Sequence, residues 1–70
     1  MITEKDKRLG KRIKKLRNAK GLTQEQLAEK AGISMKYVQF IENAHRIPAL
    51  KTLYKIARVL GVKVEEIFPF

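Results

Sequence analysis

Nucleophilic, acid–base and metal chemistry all call for residues that this 70-residue sequence lacks. It has no cysteine and one histidine, His45, so neither a thiol nucleophile nor a transition-metal site can be assembled. Glu65 and Glu66 are adjacent, and neighbouring side chains point in different directions, so they do not form a catalytic pair. No cofactor or small-molecule substrate is expected. A different chemistry is available between residues 35 and 43, Met-Lys-Tyr-Val-Gln-Phe-Ile-Glu-Asn. On a helix, at about 100° per residue, Val38 and Ile41 fall inward while Lys36, Gln39, Phe40 and Asn43 face out. A lysine can donate to guanine O6 or N7, a glutamine can make the paired contact to adenine, and a phenylalanine can pack on a thymine methyl. Met35, at the exposed start of the segment, offers a similar apolar contact. The competing reading is an ordinary surface, but an exposed Phe beside a Met on a short polar helix is costly without a partner.

Other elements must hold that row outward. Apolar residues recur at spacings of three and four, so the chain is expected to be all-α, with five short helices and no strand. A first segment from Glu4 to about Lys20 puts Leu9, Ile13 and Leu16 on one stripe, with Thr3 as its cap and Gly21 just past its end. Thr23 and Gln26 have capping-box spacing for a second segment, Gln24 to about Ala31. Gly32 breaks it, and Ser34 caps a third, Met35 to Asn43. Leu50, Leu53, Ile56, Ala57 and Leu60 mark a fourth helix ended by Gly61, and Val64 to Phe68 allow one more turn before Pro69.

Only Gly32 and Ile33 separate the second helix body from the next cap. Helices so closely joined pack only if the residue at their crossing is small, which Ala28 provides, while Gly32 gives the turn its backbone freedom. This spacing is that of a helix-turn-helix over about 23–43, whose second helix lies in the major groove of DNA while the first crosses the backbone. Residues 1–70 read as one compact five-helix bundle.

The charge agrees with a polyanionic partner: sixteen Lys plus Arg against seven Asp plus Glu give +9. Most of the excess lies in residues 1–20, where nine cations face Glu4 and Asp6. An anionic membrane surface would also attract this charge, but the basic first helix has no Trp or Phe to insert and its Leu and Ile are needed by the core. No apolar stretch has the length of a signal peptide or a membrane span, so a cytoplasmic address is expected.

The run Leu22-Thr-Gln-Glu-Gln-Leu-Ala-Glu-Lys-Ala-Gly-Ile-Ser34, then Tyr37-Val-Gln-Phe-Ile-Glu42, then Pro48 to Phe68, resembles the phage-repressor and Cro-like (XRE-type) helix-turn-helix family over nearly the whole chain. The short form also looks like the controller proteins of restriction-modification systems, compact dimeric regulators that Tyr37 with Arg46 would suit. The resemblance implies a sequence-specific double-stranded DNA-binding transcriptional regulator and no enzyme. It adds Tyr37 to the base-reading set of Met35, Lys36, Gln39 and Phe40. It implies phosphate contacts from Gln24, where the N-terminus of a helix favours an anion, and from Asn43 and Arg46. It also implies a structural ion pair between Arg17 and Glu42, the latter toward the inner side of its helix. A protein-binding antitoxin would use the same fold.

Departures from the family pattern carry their own expectations. Met35 stands where a polar base-reading residue is frequent. Ala44 stands where Gly is frequent, which moves any left-handed requirement to Asn43. Ala49 and Lys63 replace Ser-type caps, so the last two helices should fray at their starts. One recognition helix covers only a few base pairs, so a homodimer on a palindromic operator is expected. Its interface is assigned to Val62, Val64, Ile67, Phe68 and Phe70, which are more apolar than so small a domain easily buries.

Overall fold

Capping chemistry sets the helix starts. Thr3 accepts from the backbone N–H of Asp6 while its own N–H donates to the Asp6 carboxylate at 2.9 Å, opening α1 (Glu4–Ala19). The Thr23 and Gln26 box opens α2 (Gln24–Ala31), and Ser34 accepts from the Tyr37 N–H to open α3 (Met35–Glu42). Then follow α4 (Leu50–Leu60) and α5 (Val64–Ile67). The computed structural model describes residues 2–69, and no strand occurs among them. Ala49 provides no side-chain cap to α4, but at α5 the Glu66 carboxylate takes the Lys63 backbone N–H at 2.7 Å. Lys63 itself gives no side-chain cap, so the Glu66 carboxylate is the tie at this start.

The fully buried Ile13, Leu27, Val38, Ile41, Ile56 and Ile67 draw at least one side chain from each helix into one core. Helix α2 packs on α3 and α4, while α1 packs on α3 and α5. At the tight turn Gly32 is left-handed (φ 71°), and the Ile33 N–H returns to the Ala28 carbonyl at 3.0 Å. Buried Ala28 lets the helices cross closely.

Two features bind α1 to α3. Gly10 is buried in α1, and a Cβ there would stand 2.7 Å from the carbonyl oxygens of both Ile41 and Glu42, so the backbones nearly touch. Two turns on, Arg17 grips Glu42 with both ends of its guanidinium: Nε donates to Oε2 at 2.7 Å and Nη2 to Oε1 at 3.0 Å. Its remaining nitrogen, Nη1, donates to the Leu22 carbonyl at 2.7 Å. Both residues are buried, and among the described residues no buried side-chain polar atom lacks a partner.

Two expectations are corrected. The left-handed residue after α3 is Ala44 (φ 61°), whereas Asn43 keeps φ −90°. Ala44 is buried and Asn43 exposed, so burial of the methyl group offsets part of the roughly 1–2 kcal/mol of left-handed strain. The chain reversal there is held by the His45 and Arg46 N–H groups, both donating to the Phe40 carbonyl at 2.8 and 3.2 Å. Ile67 is completely buried and so cannot form part of a dimer interface. Val62 and Val64 are half-buried against the core, Phe68 is exposed, and Phe70 lies outside the described residues. Leu50, the first residue of α4, is 60% exposed.

Gly10→Ala should lower stability by about 1–3 kcal/mol, since backbone rather than a movable side chain must yield. Glu42→Ala, which leaves the Arg17 guanidinium buried without its carboxylate, should lower it by about 3–5 kcal/mol. Urea denaturation followed by helical circular dichroism measures both. A destabilisation of less than about 0.5 kcal/mol from either would show that α1 and α3 are not held together in this way.

Candidate nucleic-acid interface

The outer face of α3 is set by what its inner face buries. Val38, Ile41 and Glu42 point in, which turns Met35, Lys36, Gln39 and Phe40 toward the open side. Met35 is 43% exposed and Lys36 is exposed, while Gln39 and Phe40 are half-buried. Tyr37 is also half-buried and packs in part against the core, so only a fraction of its ring faces out.

Phe40 is less bare than the sequence implied. Lys36 Nζ lies 5.9 Å and Arg46 Cζ 6.0 Å from its ring centroid, with the His45 ring at 6.1 Å. The ring is a platform for two cations, attracted by its quadrupole. The loop after α3 makes this possible, because its return onto the Phe40 carbonyl carries His45 and Arg46 back over the helix they have just left. Arg46 and Asn43 are both exposed beside the row.

Gln24, at the first position of α2, has its side chain drawn inward. Its Nε2 donates to Glu42 Oε1 at 3.1 Å, and its Oε1 accepts from Gln39 Nε2 at 3.5 Å. A phosphate at this end of α2 would therefore meet the backbone N–H groups of the first turn and the positive end of the helix dipole, more than the amide of Gln24 itself. Thr23 is occupied as the cap.

The structure thus brings together Lys36, Gln39, Phe40, Arg46 and the N-terminus of α2 on one side of the molecule, with Asn43 at the end of α3. Sequence reasoning missed the clustering of His45 and Arg46 about Phe40. The usable signal was the i, i+4 spacing of Lys36 and Phe40 with a loop only a few residues long after them. It also missed an apolar patch outside this face. Ile47, Leu50 and Tyr54 are 57%, 60% and 59% exposed, and Leu50 and Tyr54 line a groove of about 510 Å³ flanked by Lys51, Lys55 and Arg58. Among the described residues no three His, Cys, Asp or Glu side chains gather as a metal site, and no helix is long and apolar enough to cross a membrane.

Comparison with known proteins agrees with this geometry. Residues 13–67 match the helix-turn-helix family model HTH_3. An uncharacterised HTH-type transcriptional regulator of Archaeoglobus fulgidus is 44% identical over 59 residues, covering 84% of this chain and 83% of that protein. The restriction-modification controller protein C.AhdI of Aeromonas hydrophila superposes with a TM-score of 0.87 at 37% identity, over 89% of this chain and 94% of that one. SinR, a regulator of Bacillus subtilis, has been crystallised in complex with DNA. That structure superposes with a TM-score of 0.81 at 38% identity, over 84% of this chain and 95% of its own. The chain belongs to the XRE-type HTH_3 helix-turn-helix family of DNA-binding transcriptional regulators.

Proposed function

We propose that this chain binds a specific duplex sequence as a homodimer on a palindromic operator, in the cytoplasm, and thereby controls transcription. The observation that carries the reading is the outward row of α3, where a lysine, a glutamine amide and a cation-flanked aromatic ring sit side by side. Lys36, Gln39 and Phe40 read base edges in the major groove, with Met35 and the exposed part of Tyr37 at the margins. Arg46, Asn43 and the first turn of α2 at Gln24 hold backbone phosphates and set the register. Arg17 and Glu42 keep the two helices in place without touching DNA. Residues 1–70 act as a single domain.

Dimerisation needs an apolar surface, and burial of Ile67 removes part of the one assigned from sequence. The contact is better supplied by Leu50 and Tyr54, one turn apart on α4 and lining one groove. Two copies meeting there bring Lys51, Lys55 and Arg58 of each toward the other, so the contact is apolar at its centre and repulsive at its edge.

In a binding assay on duplexes recovered from a random pool, Lys36→Ala or Gln39→Ala should flatten the preference among base-substituted sites by about 1–3 kcal/mol. Arg46→Ala should weaken all duplexes alike. Equal effects from the two kinds of substitution would refute the division between reading and positioning. Self-association of the DNA-free protein should tighten as salt rises, because screening relieves the cationic edge. DNA affinity should fall over the same range. Tyr54→Ala should weaken the dimer at least tenfold with helical content unchanged. Sedimentation equilibrium tests this, and an unaltered dimer would exclude α4 as the contact.

A further inference from the structure

Helix α1 carries cations that neither the core nor the outer face of α3 employs. Lys7 and Lys11 stand on either side of Gly10 in sequence, at the point where α1 and α3 approach backbone to backbone. They line, with Asn43, Ala44 and Glu42, a cleft of about 270 Å³ at the C-terminal end of α3. Glu42, the one carboxylate there, is already held by both ends of the Arg17 guanidinium and by Gln24. The cleft therefore presents two exposed ammonium groups and the exposed Asn43 side chain, with its only negative charge satisfied from behind.

Position gives this cleft a ligand. An eight-residue helix is about 12 Å long and the major groove is about 12 Å wide, so the end of α3 emerges beside a phosphate wall. Gly10 allows no slack between α1 and that end, which keeps Lys7 and Lys11 with α3 as it enters the groove. Resting on the DNA-binding reading, we propose that Lys7 and Lys11 bind backbone phosphates of the duplex at this cleft, with Asn43, so that α1 forms part of the DNA interface as well as its support. The alternative use of these lysines is to offset the carbonyl end of the α3 dipole, a purely structural role.

The test is the double variant Lys7→Gln, Lys11→Gln on a pool-selected duplex of about 30 base pairs, titrated between about 50 and 200 mM salt. Without these two phosphate partners the slope of log affinity against log salt should fall by about two, shrinking the drop in affinity over that range by about twelvefold. The ranking of base-substituted duplexes and the melting temperature should stay as in the parent, and Lys7→Arg with Lys11→Arg should restore the slope. An unchanged slope, with or without a lower melting temperature, overturns the proposal while leaving the DNA-binding reading intact. If the parent protein itself shows neither sequence preference nor salt dependence, that reading falls and the proposal falls with it.

Discussion

The buried pairing of Arg17 with Glu42 is the constraint on which the rest depends. A guanidinium and a carboxylate taken out of water repay their desolvation only when the geometry is good and the remaining hydrogen-bonding capacity is used. Here Nε and Nη2 hold the carboxylate, Nη1 holds the Leu22 carbonyl that leads into α2, and Gln24 completes Glu42. One cation thereby joins α1, the turn before α2 and the end of α3. Because Glu42 is the last residue of α3, the pair ties that end of the helix to α1, and Gly10 sets how closely α3 lies against its support.

The fold was largely legible because its boundaries rest on local chemistry. Thr3, Thr23 and Ser34 cap where a hydroxyl before an apolar run should cap, and Gly32 and Gly61 end helices with left-handed backbones. What escaped reading depended on tertiary surroundings. Ala44 takes the left-handed conformation over Asn43 because the chain path buries that methyl group, a fact no propensity at two adjacent positions contains. Leu50 and Ile67 have similar apolar character, yet one is exposed on α4 and the other is sealed under α1 and α4. Hydrophobicity identifies candidates for burial, whereas packing decides among them.

The candidate interface shows the same division. Inward Val38 and Ile41 follow from helical periodicity, and that alone turns Lys36, Gln39 and Phe40 to the open side. Periodicity could not reveal that Phe40 is flanked by Lys36 and Arg46, because the second contact comes from a loop folding back over the helix. Nor could it reveal that Gln24 turns inward, since Glu42 lies eighteen residues away in sequence.

That inward turn has an electronic consequence for the outer face of α3. A carboxylate can only accept, so Glu42 obliges Gln24 to point its NH2 group inward and its oxygen outward. The outward oxygen in turn asks Gln39 for an N–H, leaving the Gln39 carbonyl free to look away from the protein. A single ionised oxygen in the interior thus fixes the polarity of two amides in series. The second of them keeps its carbonyl oxygen and a second N–H, one acceptor and one donor side by side on the outer face of α3.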